Sequence, residues 1–219
     1  GRRFWYSAAM HKKPPKTPVH RAPPPQQVRI IGGAWKRTPL PVLDALGLRP
    51  TPDRVRETVF NWIVHLRGAD WSGARVLDLF AGSGALGFEA ASRGAASVTM
   101  VDFHTPVVRQ LEAIRDKLKA EAVTVVRGDA VTVAHAMVQR GQRFDLLFLD
   151  PPYHQDFLSR ALPVCTQLLE EGGMAYVEAG AALPFAAGEG ESTPDWLAPW
   201  EAVRADKAGT VFYHLLRLR

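Results

Sequence analysis

The chain has 219 residues, of which 47% are hydrophobic and 22% charged; that is about one domain with a full core, and it excludes global disorder. No apolar run approaches the roughly 18 residues of a membrane span, and a single cysteine, Cys165, excludes a disulfide framework and a multi-cysteine zinc site. The net charge of +5 is unevenly spread: residues 1–43 hold nine Lys or Arg, and the first acidic residue is Asp44.

Such a basic arm suits an anionic polymer or surface. Six prolines from Pro14 to Pro25 deny it a helix or a ladder strand. Residues 1–27 are therefore expected to form a basic, disordered or polyproline-like extension that can contact phosphates. No secretory leader is expected, and the lone cysteine fits a reducing, cytoplasmic setting.

Residues 28–31 are a short β-branched run ending at Gly32-Gly33, and 35–42 continue as a proline-punctuated strand or loop. The turn Arg49-Pro50-Thr51-Pro52-Asp53 offers Thr51 or Asp53 as a cap for a helix over 53–66. Its Val55, Val59, Trp62, Ile63 and Leu66 recur at the helical period. Arg49, Arg54 and Arg56 cluster at its start as candidate nucleic-acid-binding residues. From Arg75 onward, strands are expected at 75–80, 97–102, 123–127, 144–150 and 174–178. Helices are expected near 85–93, 105–120, 130–140 and 156–170. Near-continuous apolar strands separated by helices predict an α/β fold with a doubly wound, mostly parallel sheet. Residues 180–199 read as a loop with one short helix near 195–200. The runs 201–206 and 210–218, across Lys207-Ala208-Gly209, predict an antiparallel hairpin at the sheet edge. The expected division is an extension (1–27), a strand and helix segment (28–70) and a catalytic domain (71–219).

Ligands of open parallel sheets bind beyond the carboxyl ends of the strands. The first regular strand ends in Asp78-Leu79-Phe80-Ala81-Gly82-Ser83-Gly84-Ala85-Leu86-Gly87, a match to G-x-G-x-x-G before a helix. Glycines there let a ligand approach the backbone, and the helix N-terminus offers free N–H groups. Asp78 repels a pyrophosphate but suits a cation, such as the amino-acid end of S-adenosyl-L-methionine. The second strand ends at Asp102, placed to accept the ribose hydroxyls of either NAD or S-adenosylmethionine. The third ends at Asp129-Ala130, where the carboxylate can meet an adenine amino group, cap the next helix, or both. The fourth ends in Asp150-Pro151-Pro152-Tyr153. Two prolines remove two N–H donors, and an ionised Asp150 only accepts, so this segment is a rigid array of acceptors beside a ring. An exocyclic amine on a nucleobase, whose lone pair is delocalised into the base, needs such acceptors to become nucleophilic. Tyr153 can stack on a base withdrawn for reaction.

Asp150-Pro151-Pro152-Tyr153, with Asp78-x-Phe80-x-Gly82-x-Gly84, resembles the class I S-adenosylmethionine-dependent amino-methyltransferases. With Arg29-Ile30-Ile31-Gly32-Gly33, Leu48-Arg49-Pro50-Thr51 and Arg54-Val55-Arg56-Glu57-Thr58-Val59-Phe60-Asn61-Trp62, residues 28–218 resemble the RsmD family. The resemblance implies methylation of a guanine 2-amino group in small-subunit (16S) ribosomal RNA, within an assembling 30S particle. It implies S-adenosyl-L-methionine as cofactor; a monomer is expected, with no membrane, and no metal since the seven histidines lack ligand spacing. It makes Asp78, Gly82 and Gly84 cofactor-loop residues, Asp102 the ribose acceptor, and Asp150, Pro151, Pro152 and Tyr153 the reaction centre; Phe80, Ala81, Asp129 and Ala130 complete the expected cofactor set. The family more often has Glu where Asp102 stands, and the extension before Val28 lies outside its core. Two further readings stay open on residues alone: an amino-methyltransferase of adenine or cytosine in DNA, and a non-catalytic RNA-binding assembly factor. A nicotinamide oxidoreductase would leave Asp150 to Tyr153 unexplained.

Overall fold

The computed structural model describes residues 27–43, 50–153 and 156–219. Seven strands form one sheet: β3 (Arg75–Asp78), β4 (Ser97–Asp102), β5 (Val123–Arg127), β6 (Phe144–Leu149), β7 (Leu169–Ala179), β8 (Trp200–Ala208) and β9 (Val211–Leu218). Their order across the sheet is β5-β4-β3-β6-β7-β9-β8. The first five pair in parallel, while β9 runs against both β7 and β8. The hairpin therefore joins the sheet through its second strand. The chain leaves β3 toward one edge and returns to its other side as β6, so strand order reverses between β3 and β6. That reversal opens a crevice.

Period-two alternation sorts the core into two layers. Val76, Val98, Met100, Leu146, Phe148 and Tyr176 pack beneath α1 (Asp53–Arg67), α2 (Ala85–Ser92) and α3 (Thr105–Leu118). Leu77, Val101, Leu147, Leu149 and Val177 pack against α4 (Ala130–Gln139) and α5 (Leu158–Cys165) on the opposite face. The same alternation carries Asp78, Asp150 and Glu178 toward the α1 and α2 face at the strand ends. Residues 28–70 share this core: Val28, Ile30 and Leu40, from the small antiparallel pair β1 (Gln27–Arg29) and β2 (Pro39–Pro41), join Val55, Val59, Phe60 and Ile63 of α1.

The departures from expectation are local. Neither Thr51 nor Asp53 caps α1; Pro52 stands at the cap with no side-chain bond, and the two side chains are engaged elsewhere. The fourth helical stretch ends at Cys165, because the chain turns at 166–168 to enter a longer β7 at Leu169. Residues 195–199 are turns rather than a helix. The hairpin turn falls at Gly209-Thr210, since Gly209, with φ +61°, takes the first turn position where a positive φ is needed.

Candidate active site

The first wall of the crevice is the loop from β3 to α2. Leu79 N donates to Phe148 O, Ala81 N to Val101 O (2.9 Å) and Gly84 N to Ala81 O (2.8 Å), so the loop is tied to both neighbouring strands and to itself. Gly84 has φ +81°, and a Cβ there would lie 2.6 Å from the Phe88 ring and 2.8 Å from Leu111. A Cβ on Gly87 would meet Met100 at 2.5 Å and Asp78 Oδ2 at 3.3 Å, so this glycine brings α2 down onto β3 and β4. Phe80 is half-buried with its ring edge on Phe157, and Ala81 is buried.

Asp78 is 1% exposed, and among the described residues no side chain bonds to either carboxylate oxygen. Burial pushes its carboxyl up to about 7 and the nearby Asp102 adds to the rise, opposed by the adjacent Gly87 and Phe80 N–H groups. A buried carboxylate without a side-chain partner costs free energy that a cation placed there would recover.

Asp102 lies at the end of β4. Its Oδ2 accepts from Gly82 N (3.0 Å) and its Oδ1 from His104 N (3.0 Å). A carboxylate offers about four lone-pair directions, so each oxygen keeps room for a hydroxyl. Asp129 caps α4: its Oδ2 accepts from Thr132 N and Thr132 Oγ1, both at 2.9 Å, and those bonds hold its carboxyl below the usual range. Ala130 is buried at the first position of that helix.

The second wall is the end of β6 and β7. Asp150 is half-buried, Pro151 buried and Pro152 exposed; Tyr153 is 39% exposed, its ring lying over Gly180. Parallel pairing of Leu149 with Val177 makes Asp150 and Glu178 the next residues out on adjacent strands. Glu178, 2% exposed, accepts from Thr51 Oγ1 (2.7 Å), Tyr176 Oη (3.0 Å) and Tyr153 Oη (3.3 Å). Thr51 Oγ1 also lies 3.3 Å from Asp150 Oδ2. Burial first, then the Glu178 and Asp78 charges, raise the Asp150 carboxyl well above its usual range. Burial raises Glu178 against its three hydroxyl donors. Neither Glu178 nor Tyr176 was read as functional from sequence, and Thr51 was read as a cap. The strand-end rule that found Asp150 applies equally to Glu178, which closes the apolar run of β7.

The arginine cluster needs correction. Arg56 is fully buried: it donates to Asp53, to Glu89 Oε1 (3.4 Å) and to Thr51 O (3.4 Å). Glu89 in turn accepts from Ile31 N, Gly32 N and Arg93 Nε. A guanidinium enclosed among carboxylates is unavailable to a phosphate, so Arg56 is structural. Arg54 is exposed beside it, and Arg49 lies outside the described residues. Among the described residues no helix is long and apolar enough to cross a membrane.

Comparison with known proteins bears on this arrangement. A model of the family described as conserved hypothetical protein 95 matches residues 28–217. "Ribosomal RNA small subunit methyltransferase D" of Escherichia coli is 40% identical over 190 residues, covering 86% of this chain and 89% of that protein. The solved structure of yhhF from Escherichia coli superposes with a TM-score of 0.71 at 36% identity, over 88% of this chain and 98% of that one. A SAM-dependent methyltransferase of Agrobacterium tumefaciens, 19% identical, shares the fold at a TM-score of 0.57, over 75% of this chain and 55% of that one. The chain therefore belongs to the conserved hypothetical protein 95 family, the RsmD methyltransferases that its sequence motifs resemble.

Proposed function

We propose that the protein methylates the exocyclic 2-amino group of a guanine in small-subunit ribosomal RNA, with S-adenosylmethionine as methyl donor, in the cytoplasm. The observation that carries this reading is the acceptor array from Asp150 to Tyr153, set beside the buried Glu178 and opposite an Asp78 that has no side-chain partner among the described residues. The name of the Escherichia coli relative supports the RNA substrate.

The residues of the first wall fit the donor. Asp78 would hold its ammonium group, Phe80 to Gly84 its backbone-contacting face, Asp102 its ribose hydroxyls, and Asp129 and Ala130 its base. When bound, the group supplies an electrophilic methyl on cationic sulfur. Asp150 and the Pro151 carbonyl accept the two N–H bonds of the target amine. That draws nitrogen toward tetrahedral geometry and frees its lone pair. Pro152 offers no competing donor. Tyr153 gives the withdrawn base a ring to stack on. Arg54, exposed in the first turn of α1, and the basic arm at 1–27 contact RNA phosphates, which fixes register without reading sequence.

The test is transfer of a labelled methyl group to 30S particles, free 16S ribosomal RNA and duplex DNA, followed by nucleoside mass spectrometry. N2-methylguanosine in the RNA arms is the expected product. Label recovered as methyladenine or methylcytosine in DNA would overturn the substrate assignment.

A further inference from the structure

We infer that Thr51 and Glu178 form a proton relay behind Asp150, carrying away the proton that an amine must lose when it is methylated. The inference rests on the amine-methyltransferase reading above and deepens it.

The balance of the reaction demands an acceptor. Nitrogen forms a bond to the methyl carbon as the methyl–sulfur bond breaks, and that electron pair stays on sulfur, which becomes a neutral thioether. The nitrogen is left with four bonds and a positive charge, and one N–H proton must leave. Asp150 accepts a bond from that N–H, so it receives the proton. A protonated Asp150 then becomes a donor, 3.3 Å from Thr51 Oγ1, whose own proton already points along the 2.7 Å contact to Glu178 Oε2. Transfer of both protons leaves Asp150 ionised and Glu178 protonated; Glu178 then returns its proton to solvent through Tyr153, which bonds to its Oε1 and is 39% exposed, before the next turnover.

Thr51 is suited to this and to little else. It is 3% exposed and caps no helix, and Arg56 Nε fixes its backbone by donating to its carbonyl. A hydroxyl held between the half-buried Asp150 and the buried Glu178 contributes nothing to packing that a methyl group would not. Tyr176 and Tyr153 also bond to Glu178, and the Asp78 charge faces Asp150 from β3. No cation bonds directly to either Asp150 or Glu178 among the described residues; Arg56 reaches the pair only through Thr51. Both Thr51 and Glu178 act through Asp150 and are positioning residues.

Single-turnover methyl transfer to the RNA substrate, measured as a function of pH with S-adenosylhomocysteine affinity alongside, tests the relay in the full chain. Thr51→Val should slow transfer by about 10², Thr51→Ser should recover most of that loss, and cofactor affinity should not move. Glu178→Gln should slow transfer similarly. It should also shift the acid limb of the profile to lower pH, since the charge that raises Asp150 is gone. A Thr51→Val protein at the parental rate, a Thr51→Ser protein as slow as Thr51→Val, or an unmoved acid limb in Glu178→Gln overturns the relay alone. A parental protein that transfers no methyl to RNA overturns the functional reading and the relay together.

Discussion

The two walls of the crevice each end in a buried carboxylate, and they differ in how those charges are satisfied. On the glycine-loop wall, Asp78 has no side-chain partner among the described residues, and only the Gly87 and Phe80 N–H groups beside it. On the β6–β7 wall, Glu178 accepts from three hydroxyls supplied by this chain. In the proposed function a cationic ligand would complete the first, whereas the second already has its donors from this chain. The proposal thereby assigns binding and chemistry to different sides of one switch point.

Arg56 touches both walls, through Thr51 on one and Glu89 of α2 on the other. Replacing it should produce the largest effect on stability. Arg56→Met leaves Glu89 buried with fewer partners, and we expect a loss of about 3 kcal/mol in stability, read by denaturant unfolding. Arg54→Ala, two residues away, should leave unfolding unchanged and lower the salt slope of RNA binding by about 0.7–0.9.

These two arginines also mark where the sequence stops being legible. Asp150, Asp102 and the glycine loop could be read because each closes a near-continuous apolar strand ahead of a helix, a local signal. The burial of Arg56 depends on Glu89, 33 residues further along the chain, and no spacing reveals that pairing. Thr51 was visible as a cap candidate, but its hydroxyl is directed by a tertiary contact 127 residues away. Elements failed at their ends, where Gly209 or the entry into β7 decided the boundary, and at 195–199, where turns stand in place of the expected short helix.

Within the β6–β7 wall, Asp150→Ala should lower single-turnover transfer by about 10²–10³, because its bond strengthens as charge develops on nitrogen. A folded variant that transfers at the parental rate would remove Asp150 from the chemistry. Tyr153→Ala should weaken capture of the base by about 1–3 kcal/mol, seen as raised KM for RNA. Tyr153→Phe keeps the ring and loses one of three donors to Glu178, so only a small drop in rate is expected.

Within the glycine-loop wall, pH provides the probe. The Asp78 carboxyl moves from 3.8 to about 7 on folding, so the native state holds its proton more tightly. Its contribution to stability is full at acid pH and is lost as pH rises toward about 7. Melting temperature of the cofactor-free protein should fall across that window, less steeply in Asp78→Asn. Ligand binding has the opposite slope: an ammonium group needs Asp78 ionised. Affinity for S-adenosylhomocysteine should therefore fall by up to about tenfold per pH unit below 7 in the parental protein, and stay flat in Asp78→Asn.

Calorimetric titration of S-adenosylhomocysteine into Asp78→Asn and Asp150→Ala, side by side at neutral pH, tests the division between the walls most directly. We expect Asp78→Asn to lose roughly ten- to a hundredfold in affinity, the worth of one buried charge-assisted bond, and Asp150→Ala to bind as the parent does. Parental affinity in Asp78→Asn, or equal losses in both variants, would contradict it.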